Sequence, residues 1–489
     1  MIKKIYVYNT SIQVTPYKKD ECFQLEKLFS IWDDLRKRYL PFLYTISGET
    51  LYLPKGCSSE LIQSLLSHDG FLTEVVVMYE HTHTPVRFEE FYQMKEEPRD
   101  EIQREAISFL THKGKYKNNI SASQFALNVD TGIGKTYCSI AMIVAKKMRT
   151  MCIMNRVALI NGWKNEIIKH STIPEERIHI ITSSNDLQMM RNGELDKDVF
   201  ICSHQMLSLY MNEYGKIALY EVFDHSGIGL KIFDECHQNI KNISIIDSFT
   251  NVKYTLYLSA TFKRTQYNEN RMYNIYFGST VKYSYSRENE NEKHTVYIPC
   301  IYRTTPSTSD LSGLRTRYGF SAYRFIDYAL REPSNKLMRS FHFILSEAII
   351  RDGKILIVTP TKNSVVMLYD YLCNNFHCTG KSIATIYSDN TKESNEEAKN
   401  ADIIVSTIKS SGTGVTIYNL QTIICMEPHM SSNITKQLRG RLDRYMKGEP
   451  TYFYDLLDVS IPEIARCYKN HTLAMREMVK DITVKNIPI

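Results

Sequence analysis

Four short stretches carry residue types suited to phosphate chemistry. Val129-Asp130-Thr131-Gly132-Ile133-Gly134-Lys135-Thr136 sets two glycines, a lysine and a hydroxyl close together. Glycines without Cβ let the N–H groups of a loop (Thr131, Gly132, Ile133, Gly134) wrap a phosphate, and a helix starting there adds positive potential. Lys135 would reach the β- and γ-phosphates of a nucleotide, and the Thr136 hydroxyl would ligate Mg²⁺. Such loops usually open on Gly or Ala; here the position is Val129. A glycine-bearing surface turn before Lys-Thr would spell the same letters, but a strand before it and a helix after it, over Tyr137–Lys147, favour the phosphate loop.

Leu230–His237 (LKIFDECH) ends an apolar run on two adjacent carboxylates. Asp234 could hold Mg²⁺, and Glu235 could orient and deprotonate an attacking water. Acidic loop starts are common, so the weight comes from the position after the phosphate loop and from His237 alongside. Ser259-Ala260-Thr261 closes the next apolar run. Helix capping is the default role of such hydroxyls; one strand past the acid pair, Ser259 and Thr261 could instead join His237 in a relay between nucleotide and bound polymer. Finally, Gln437-Leu438-Arg439-Gly440-Arg441-Leu442-Asp443-Arg444 reads as a helix start. Arg441 and Arg444, three apart, would share a face and could meet a γ-phosphate from a neighbouring domain. A solvated basic face is the common alternative for an Arg-rich helix start.

The elements that must position these residues are legible in outline. Residues 1–95 read as a small β-α-β-β-α-β module: a strand over Ile5–Val14, a helix over Cys22–Leu35, a hairpin turning at Gly48, a helix over Ser59–Ser67 and a strand over Phe71–Met78. From Gln103 onward, short apolar runs alternate with amphipathic helices. The runs Gln124–Val129, Met151–Met154, Val199–Ser203, Leu230–Phe233 and Tyr254–Leu258 suit strands of a parallel sheet buried on both faces. The polar stretch Tyr283–Lys293 marks a second boundary. The rhythm then resumes with Lys354–Pro360, Ala384–Tyr387, Ile403–Thr407, Thr422–Met426 and Tyr452–Leu456. The expected organisation is therefore α/β: an N-terminal α+β domain (1–95), a first α/β domain (96–282) and a second (283–489) with an insertion near 304–335, irregular over Thr304–Tyr318.

Composition narrows the class. At 489 residues with 43% hydrophobic and 23% charged residues, the chain can bury several cores and is not a disordered or fibrous protein. No apolar run approaches the length of a membrane span, and MIKKIYVYNTSIQV turns polar too early for a secretory signal, so an unexported, membrane-free protein is expected. A net charge of +6 permits a polyanionic partner without demanding one. The eleven cysteines lack paired spacing, and Cys373, His377 and Cys378 form no complete zinc set.

The phosphate loop, DECH, SAT and QxxGRxxR in this order resemble the superfamily 2 helicases, DExH branch. That resemblance implies two tandem RecA-like domains, with ATP and Mg²⁺ held between them by Gln103, the loop residues, Asp234 and Gly412. Gln103 matches the adenine-reading glutamine. Asn155–Trp163 (NRVALINGW) falls at the first strand-contacting motif, though without its Pro-Thr, and Ser203-His204-Gln205 at the next. Thr359-Pro360-Thr361-Lys362 resembles motif IV, and Ser406-Thr407 with Ser411-Gly412-Thr413-Gly414-Val415 resembles motif V. Nucleic-acid contacts are thereby implied for Arg156, Ser203, Gln205, Thr359, Lys362, Thr407 and Thr413, and catalytic roles for Lys135, Glu235, Gln437, Arg441 and Arg444. Thr416 and Arg99 depart from the family pattern and receive no role.

Within that family, Gly412–Arg444 resembles the poxvirus transcript-release helicases. The GETLYLP hairpin, its following helix and Gly70-Phe71 resemble the N-terminal module of phage UvsW-type branch-migration helicases; residues 1–95 are accordingly expected to bind nucleic acid, with Arg36, Lys37 and Arg38 either meeting the duplex arms of a junction or forming a solvated charge cluster. The resemblance implies a phage or large-DNA-virus protein in the cytoplasm of an infected cell. Its expected action is ATP-dependent unwinding or branch migration of forks, Holliday junctions and R-loops, 3′ to 5′, on branched or single-stranded DNA, with RNA as the second candidate. Replication, recombination or transcription proteins are the expected partners. The rivals are a nucleic-acid-dependent ATPase that releases transcripts or displaces protein, a binding protein regulated by ATP, and a phosphate-loop kinase. An intact Lys135, Glu235 and Arg444 set argues against the binding protein, and a kinase leaves the second domain with its Arg pair unexplained. Phosphate-dominated contacts should give little sequence preference and strong salt dependence.

Overall fold

The computed structural model describes residues 2–33, 36–78, 85–119, 122–129, 133–259, 262, 267–285, 294–304, 306–316, 319–331, 336–376, 380–411, 417–429, 431–442, 449–476 and 478–487. The chain divides into two compact units, Met1–Tyr285 and Ser286–Ile489.

The first unit opens with β1 (Ile2–Val7) and β2 (Ser11–Thr15), an antiparallel pair where one strand was expected. Both halves alternate apolar and polar, so the turn between them leaves no trace in the periodicity; it closes through Tyr8 N donating to Ser11 O at 2.9 Å. The helix expected over Cys22–Leu35 is also shorter. α1 (Phe23–Leu28) gives way to a hairpin of β3 (Ser30–Asp33) and β4 (Arg38–Pro41), because the β-branched and aromatic Ile31 and Trp32 suit strand. β5 (Thr45–Ser47) and β6 (Thr50–Pro54) follow, turning at Gly48 with φ +59°. α2 (Ser59–His68), capped by the Ser58 side chain, and β7 (Leu72–Val77) complete a sheet of order β5-β6-β2-β1-β7.

The rest of the first unit alternates helix and strand: α3 (Glu101–Leu110), β8 (Gln124–Val129), α4 (Lys135–Lys146), β9 (Thr150–Met154), α5 (Ile160–His170), β10 (Ile178–Ile180), α6 (Ser184–Arg191), β11 (Val199–Ser203), α7 (His204–Tyr214), α8 (Lys216–His225), β12 (Leu230–Phe233), α9 (Ile240–Ser248), β13 (Tyr254–Ser259), α10 (Tyr267–Tyr276) and β14 (Val281–Tyr285). The seven strands pair in parallel in the order β10-β11-β9-β12-β13-β8-β14. β14 runs three residues beyond the boundary set at 282. As the edge strand beside β8 it needs no continuous apolar run, and Lys282 and Ser284 face water.

The N-terminal sheet does not own a separate core. Ile5, Val14, Leu25 and Leu66 belong to one buried cluster with Leu219, Phe223, Met272 and Phe277. A polar seam accompanies it: Thr10 Oγ1 donates to Asp247 O at 2.9 Å and to Asn251 Oδ1 at 2.8 Å, and Arg271 donates to Leu28 O and Ser30 O at 3.1 and 3.0 Å. A Cβ on Gly56 would come within 1.9 Å of Ile275 O, so only glycine permits this approach.

The second unit contains β15 (Thr295–Tyr302), α11 (Thr308–Gly313), the short hairpin β16 (Arg315–Thr316) and β17 (Gly319–Phe320), α12 (Ala322–Arg331), α13 (Lys336–Ala348), β18 (Lys354–Thr359), α14 (Lys362–Phe376), β19 (Ile383–Ile386), α15 (Lys392–Ala398), β20 (Ile403–Thr407), α16 (Ile408–Ser411), β21 (Leu420–Cys425), α17 (Ser432–Arg439), β22 (Thr451–Asp458), α18 (Pro462–Met475), β23 (Asp481–Ile482) and β24 (Lys485–Asn486). Its main sheet is parallel, of order β19-β20-β18-β21-β22-β15-β23, with β24 also on β15. The stretch expected to be irregular thus holds α11 and a hairpin. Both units are RecA-like α/β layers. Cys373 is not in a disulfide, and His377 and Cys378 lie outside the described residues. Among the described residues no helix is long and apolar enough to cross a membrane.

Candidate active site

Parallel pairing puts every strand's carboxyl end on the same edge of the first unit's main sheet, where α/β proteins bind ligands. In the order β11-β9-β12-β13-β8, that edge carries Ser203, Asn155, Asp234, Ser259 and the phosphate loop side by side. Residues far apart in sequence therefore meet at strand spacing, about 4.8 Å.

The loop leaves β8 at the buried Val129, whose carbonyl accepts from Lys135 Nζ at 3.1 Å. Asp130, Thr131 and Gly132 lie outside the described residues. Ile133 is buried, and Gly134 caps α4 with φ +95°. Lys135 and Thr136 occupy the first turn of α4, where unsatisfied N–H groups point along the axis toward an anion. Gln103 braces this loop: its Nε2 donates to Ile133 O at 2.7 Å and its Oε1 accepts from Arg99 N at 2.9 Å. Asp100 in turn caps α3 by accepting from Gln103 N at 2.9 Å. A Cβ at position 134 would lie 2.5 Å from Gln103 Nε2. Gly134→Ala should therefore cost about 1–3 kcal/mol in backbone strain and displace Gln103. A thermal-shift titration should show ATP·Mg²⁺ stabilising the variant far less than the wild type, and an equal shift would refute this account of the loop.

Both oxygens of Asp234 are held. Oδ2 accepts from Trp163 Nε1 and Oδ1 from Glu235 N, each at 2.9 Å. Burial, and then the adjacent Glu235 charge, push the Asp234 carboxyl up to about 6. A partly shielded carboxylate beside a second one is a site that a divalent cation relieves, so Asp234 with Thr136 fits Mg²⁺. Trp163, placed in a strand-contacting motif by the sequence, instead turns its buried indole onto this carboxylate. Trp163→Phe keeps the ring and removes the donor. The Mg²⁺ concentration giving half-maximal ATP hydrolysis should rise about tenfold, as for other groups that orient a metal ligand, with the rate at saturating Mg²⁺ retained. An unchanged Mg²⁺ requirement would show the bond to be incidental.

Glu235 adopts φ +48°, unusual for a residue with Cβ, so its backbone is re-aimed at the end of β12. Its Oε2 lies 3.2 Å from His237 Nδ1, which also meets Ser259 Oγ at 2.9 Å. The DECH and SAT segments are therefore joined through one buried imidazole. Thr261 lies outside the described residues.

Sequence reasoning did not single out Asn155, Gln238 and Asn239, nor the contact that His204 makes. Asn155 Oδ1 accepts from Asn239 Nδ2 at 2.7 Å and meets His204 Nε2 at 3.1 Å, and Asn155 Nδ2 donates to Gln238 Oε1. This amide cluster joins the segments after β9, β11 and β12. No spacing rule marks it, because its members come from three loops. Arg156 is half-buried; burial lowers its pKa while the Glu235 charge opposes that. Ser203 is buried and its hydroxyl caps α7, accepting from Met206 N at 3.1 Å, while Gln205, in the first turn of that helix, is exposed.

The second unit has a comparable edge. Thr359 at the end of β18 is buried and donates to Ser364 Oγ at 2.7 Å, while the exposed Lys362 pairs with Asp389. Thr407 caps α16, accepting from Ser410 N at 3.2 Å. Gly412 and Thr413 lie outside the described residues, as do Thr416 and Arg444. The QxxGRxxR stretch does not begin a helix. Gln437 lies near the end of α17, which stops at Arg439 with Gly440 as its C-cap, and Arg441 follows beyond it. Gly440 keeps a right-handed backbone (φ −60°, ψ −10°) and Leu442 lies in a 3₁₀ turn, while the face that Arg441 was expected to share with Arg444 involves a residue outside the described ones. Leu438 and Leu442 are buried and anchor the segment. His471, also unforeseen, bonds Asp455 Oδ2 and His429 O, each at 2.7 Å, and so ties down the chain leading into α17.

The family "Type III restriction enzyme, res subunit" matches residues 96–264, and "Helicase conserved C-terminal domain" matches residues 338–446. The "Putative helicase 161L" of Invertebrate iridescent virus 6 is 26% identical over 396 residues, 76% of this chain and 79% of the relative. The "Transcript termination protein A18" of Yaba-like disease virus is 24% identical over 378 residues, 74% of this chain and 72% of the relative. The crystal structure of T4 UvsW aligns over 99% of this chain and 100% of its own, with 14% identity and a TM-score of 0.35. With both helicase domains matched in order, and Lys135, the acid pair, His237 and Ser259 gathered on one sheet edge, the chain is a nucleic-acid-dependent ATPase of helicase type that resembles the superfamily 2 helicases.

Proposed function

We propose that this helicase is an ATP-driven motor acting on branched DNA, unwinding or branch-migrating forks, junctions and R-loops in the 3′ to 5′ direction. The observation that carries the motor reading is the edge where β12, β13 and β8 end side by side, with His237 linking the acid pair to Ser259. In this reading the N–H groups at the start of α4 and Lys135 bind the β- and γ-phosphates, and Gln103 meets the adenine. Thr136 and Asp234 would hold Mg²⁺, which when bound neutralises charge on the phosphate oxygens. Glu235 orients the attacking water and accepts its proton. By their motifs, this reading assigns catalytic roles to Gln437, Arg441 and Arg444 and nucleotide binding to Gly412. Arg156, Gln205, Lys362, Thr407 and Thr413 are the proposed nucleic-acid contacts. Ser203 and Thr359 enter through the backbone they position, their hydroxyls being engaged.

A second reading, transcript release, draws support from the match to poxvirus transcript termination proteins over about three quarters of the chain. ATP hydrolysis measured without nucleic acid, with single-stranded DNA and with a four-way junction separates the cases, with Lys135→Ala as control. Junction stimulation abolished in the variant supports the branched-DNA motor. Stimulation confined to single strands, together with ATP-dependent release of RNA from stalled transcription complexes, favours the second reading. Hydrolysis indifferent to every nucleic acid sinks both.

A further inference from the structure

The β3–β4 hairpin forms its own two-stranded sheet beside α1. Its register pairs Trp32 with Tyr39 on one face, while Ile31 on the other face meets the core. Phe23 and Trp32 are 56% and 39% exposed, a poor use of two large rings unless something covers them. The three rings form one cluster, with Phe23–Tyr39 centroids 6.2 Å apart and Trp32–Tyr39 centroids 5.0 Å apart. Lys27 Nζ lies over Tyr39 and Phe23, at 5.2 and 5.8 Å from their centroids. Arg36, Lys37 and Arg38 are exposed beside the turn; Asp33 has its carboxylate 3.8 Å from Arg36 Nε, and with Asp34, outside the described residues, it sets two acids in the sequence against these three cations and Lys27.

Aromatic faces ringed by cations suit one class of macromolecule. Bases stack on the rings without sequence demand, and the cations meet phosphates. An apolar protein partner would leave this ring of positive charge unmatched. Arg271 of α10 bonds the carbonyls of Leu28 and Ser30 at the root of the hairpin, so the cluster is held on the same body as the phosphate loop. We propose that this face is a stacking site for the terminal or splayed bases at a nucleic-acid branch point. The proposal rests on the nucleic-acid reading above and assigns the branch-contacting surface within it.

The test uses the full chain, with DNA and RNA forks of one sequence. The sequence contains two tryptophans, Trp32 and the buried Trp163, so the emission lost in Trp32→Phe isolates Trp32. That emission should be quenched by a fork. The Phe23→Ala/Trp32→Ala variant should bind the fork about tenfold more weakly, with an unchanged thermal midpoint and unchanged single-strand-stimulated ATP hydrolysis. Arg36→Gln/Arg38→Gln should lower the slope of log affinity against log salt by about 1–2. Quenching by one fork alone tells DNA from RNA. Unaltered Trp32 emission with unaltered fork affinity in the aromatic variant overturns the proposal while leaving the motor intact. A wild-type chain that binds no nucleic acid, with hydrolysis that ignores it, overturns both.

Discussion

Glu235→Gln should reduce nucleic-acid-stimulated ATP hydrolysis by about 10²- to 10⁴-fold, the usual contribution of a general base, while ATP·Mg²⁺ still binds. The carboxamide keeps the shape of the side chain and the turn at φ +48°, and removes only the proton acceptor. The neighbouring Asp234 should then lose part of its upward pKa shift, because the Glu235 charge is its second cause after burial. Single-turnover hydrolysis against nucleotide binding, followed by a fluorescent ATP analogue, checks this. Rate and binding falling together would mean that Glu235 shapes the pocket, and a rate within fivefold of wild type would place the base elsewhere.

Asp247→Ala should strongly destabilise the first unit. Lys231 is fully buried in β12 and ion-pairs with Asp247, with Thr250 O and Oγ1 each accepting from its Nζ at 2.7 Å. The Asp247 carboxylate also accepts from Tyr257 at 2.6 Å and from Tyr276. Burial pulls the Lys231 ammonium down while Asp247 opposes it. Removing the acid strands a cation in the core, which costs about 3–5 kcal/mol. The double variant Lys231→Met/Asp247→Ala should recover part of that loss. Chemical denaturation followed by circular dichroism measures both, and a single variant as stable as the double would contradict the pairing.

Much of this architecture was legible because parallel strands buried on both faces announce themselves as apolar runs. Gln124–Val129, Val199–Ser203, Leu230–Phe233 and Ile403–Thr407 end where the sequence placed them. The edge strand β14 and the first hairpin were not legible: Ser284 and Lys282 face water, and the Tyr8–Ser11 turn falls between two stretches of alternating residues. At the site, Lys135, Asp234 and Glu235 were visible as motifs. The partners that hold them were not. Gln103 as a brace for Gly134, Trp163 as a donor to Asp234 and Asn155 at the centre of an amide cluster all depend on strand order, which sequence spacing does not encode. Arg441 shows the converse: its motif was evident, but it lies past the end of α17 rather than in a helix begun by that motif.

The shared core of the first unit has a consequence for synthesis. Leu66 and its neighbours leave the ribosome early, yet the cluster they join is completed only by Met272, Tyr276 and Phe277. At 5–20 residues per second that gap of some 200 residues lasts roughly 10–40 s. During that interval the nascent amino-terminal sheet exposes the apolar side chains that α10 later covers, surface of the kind on which misassembly starts.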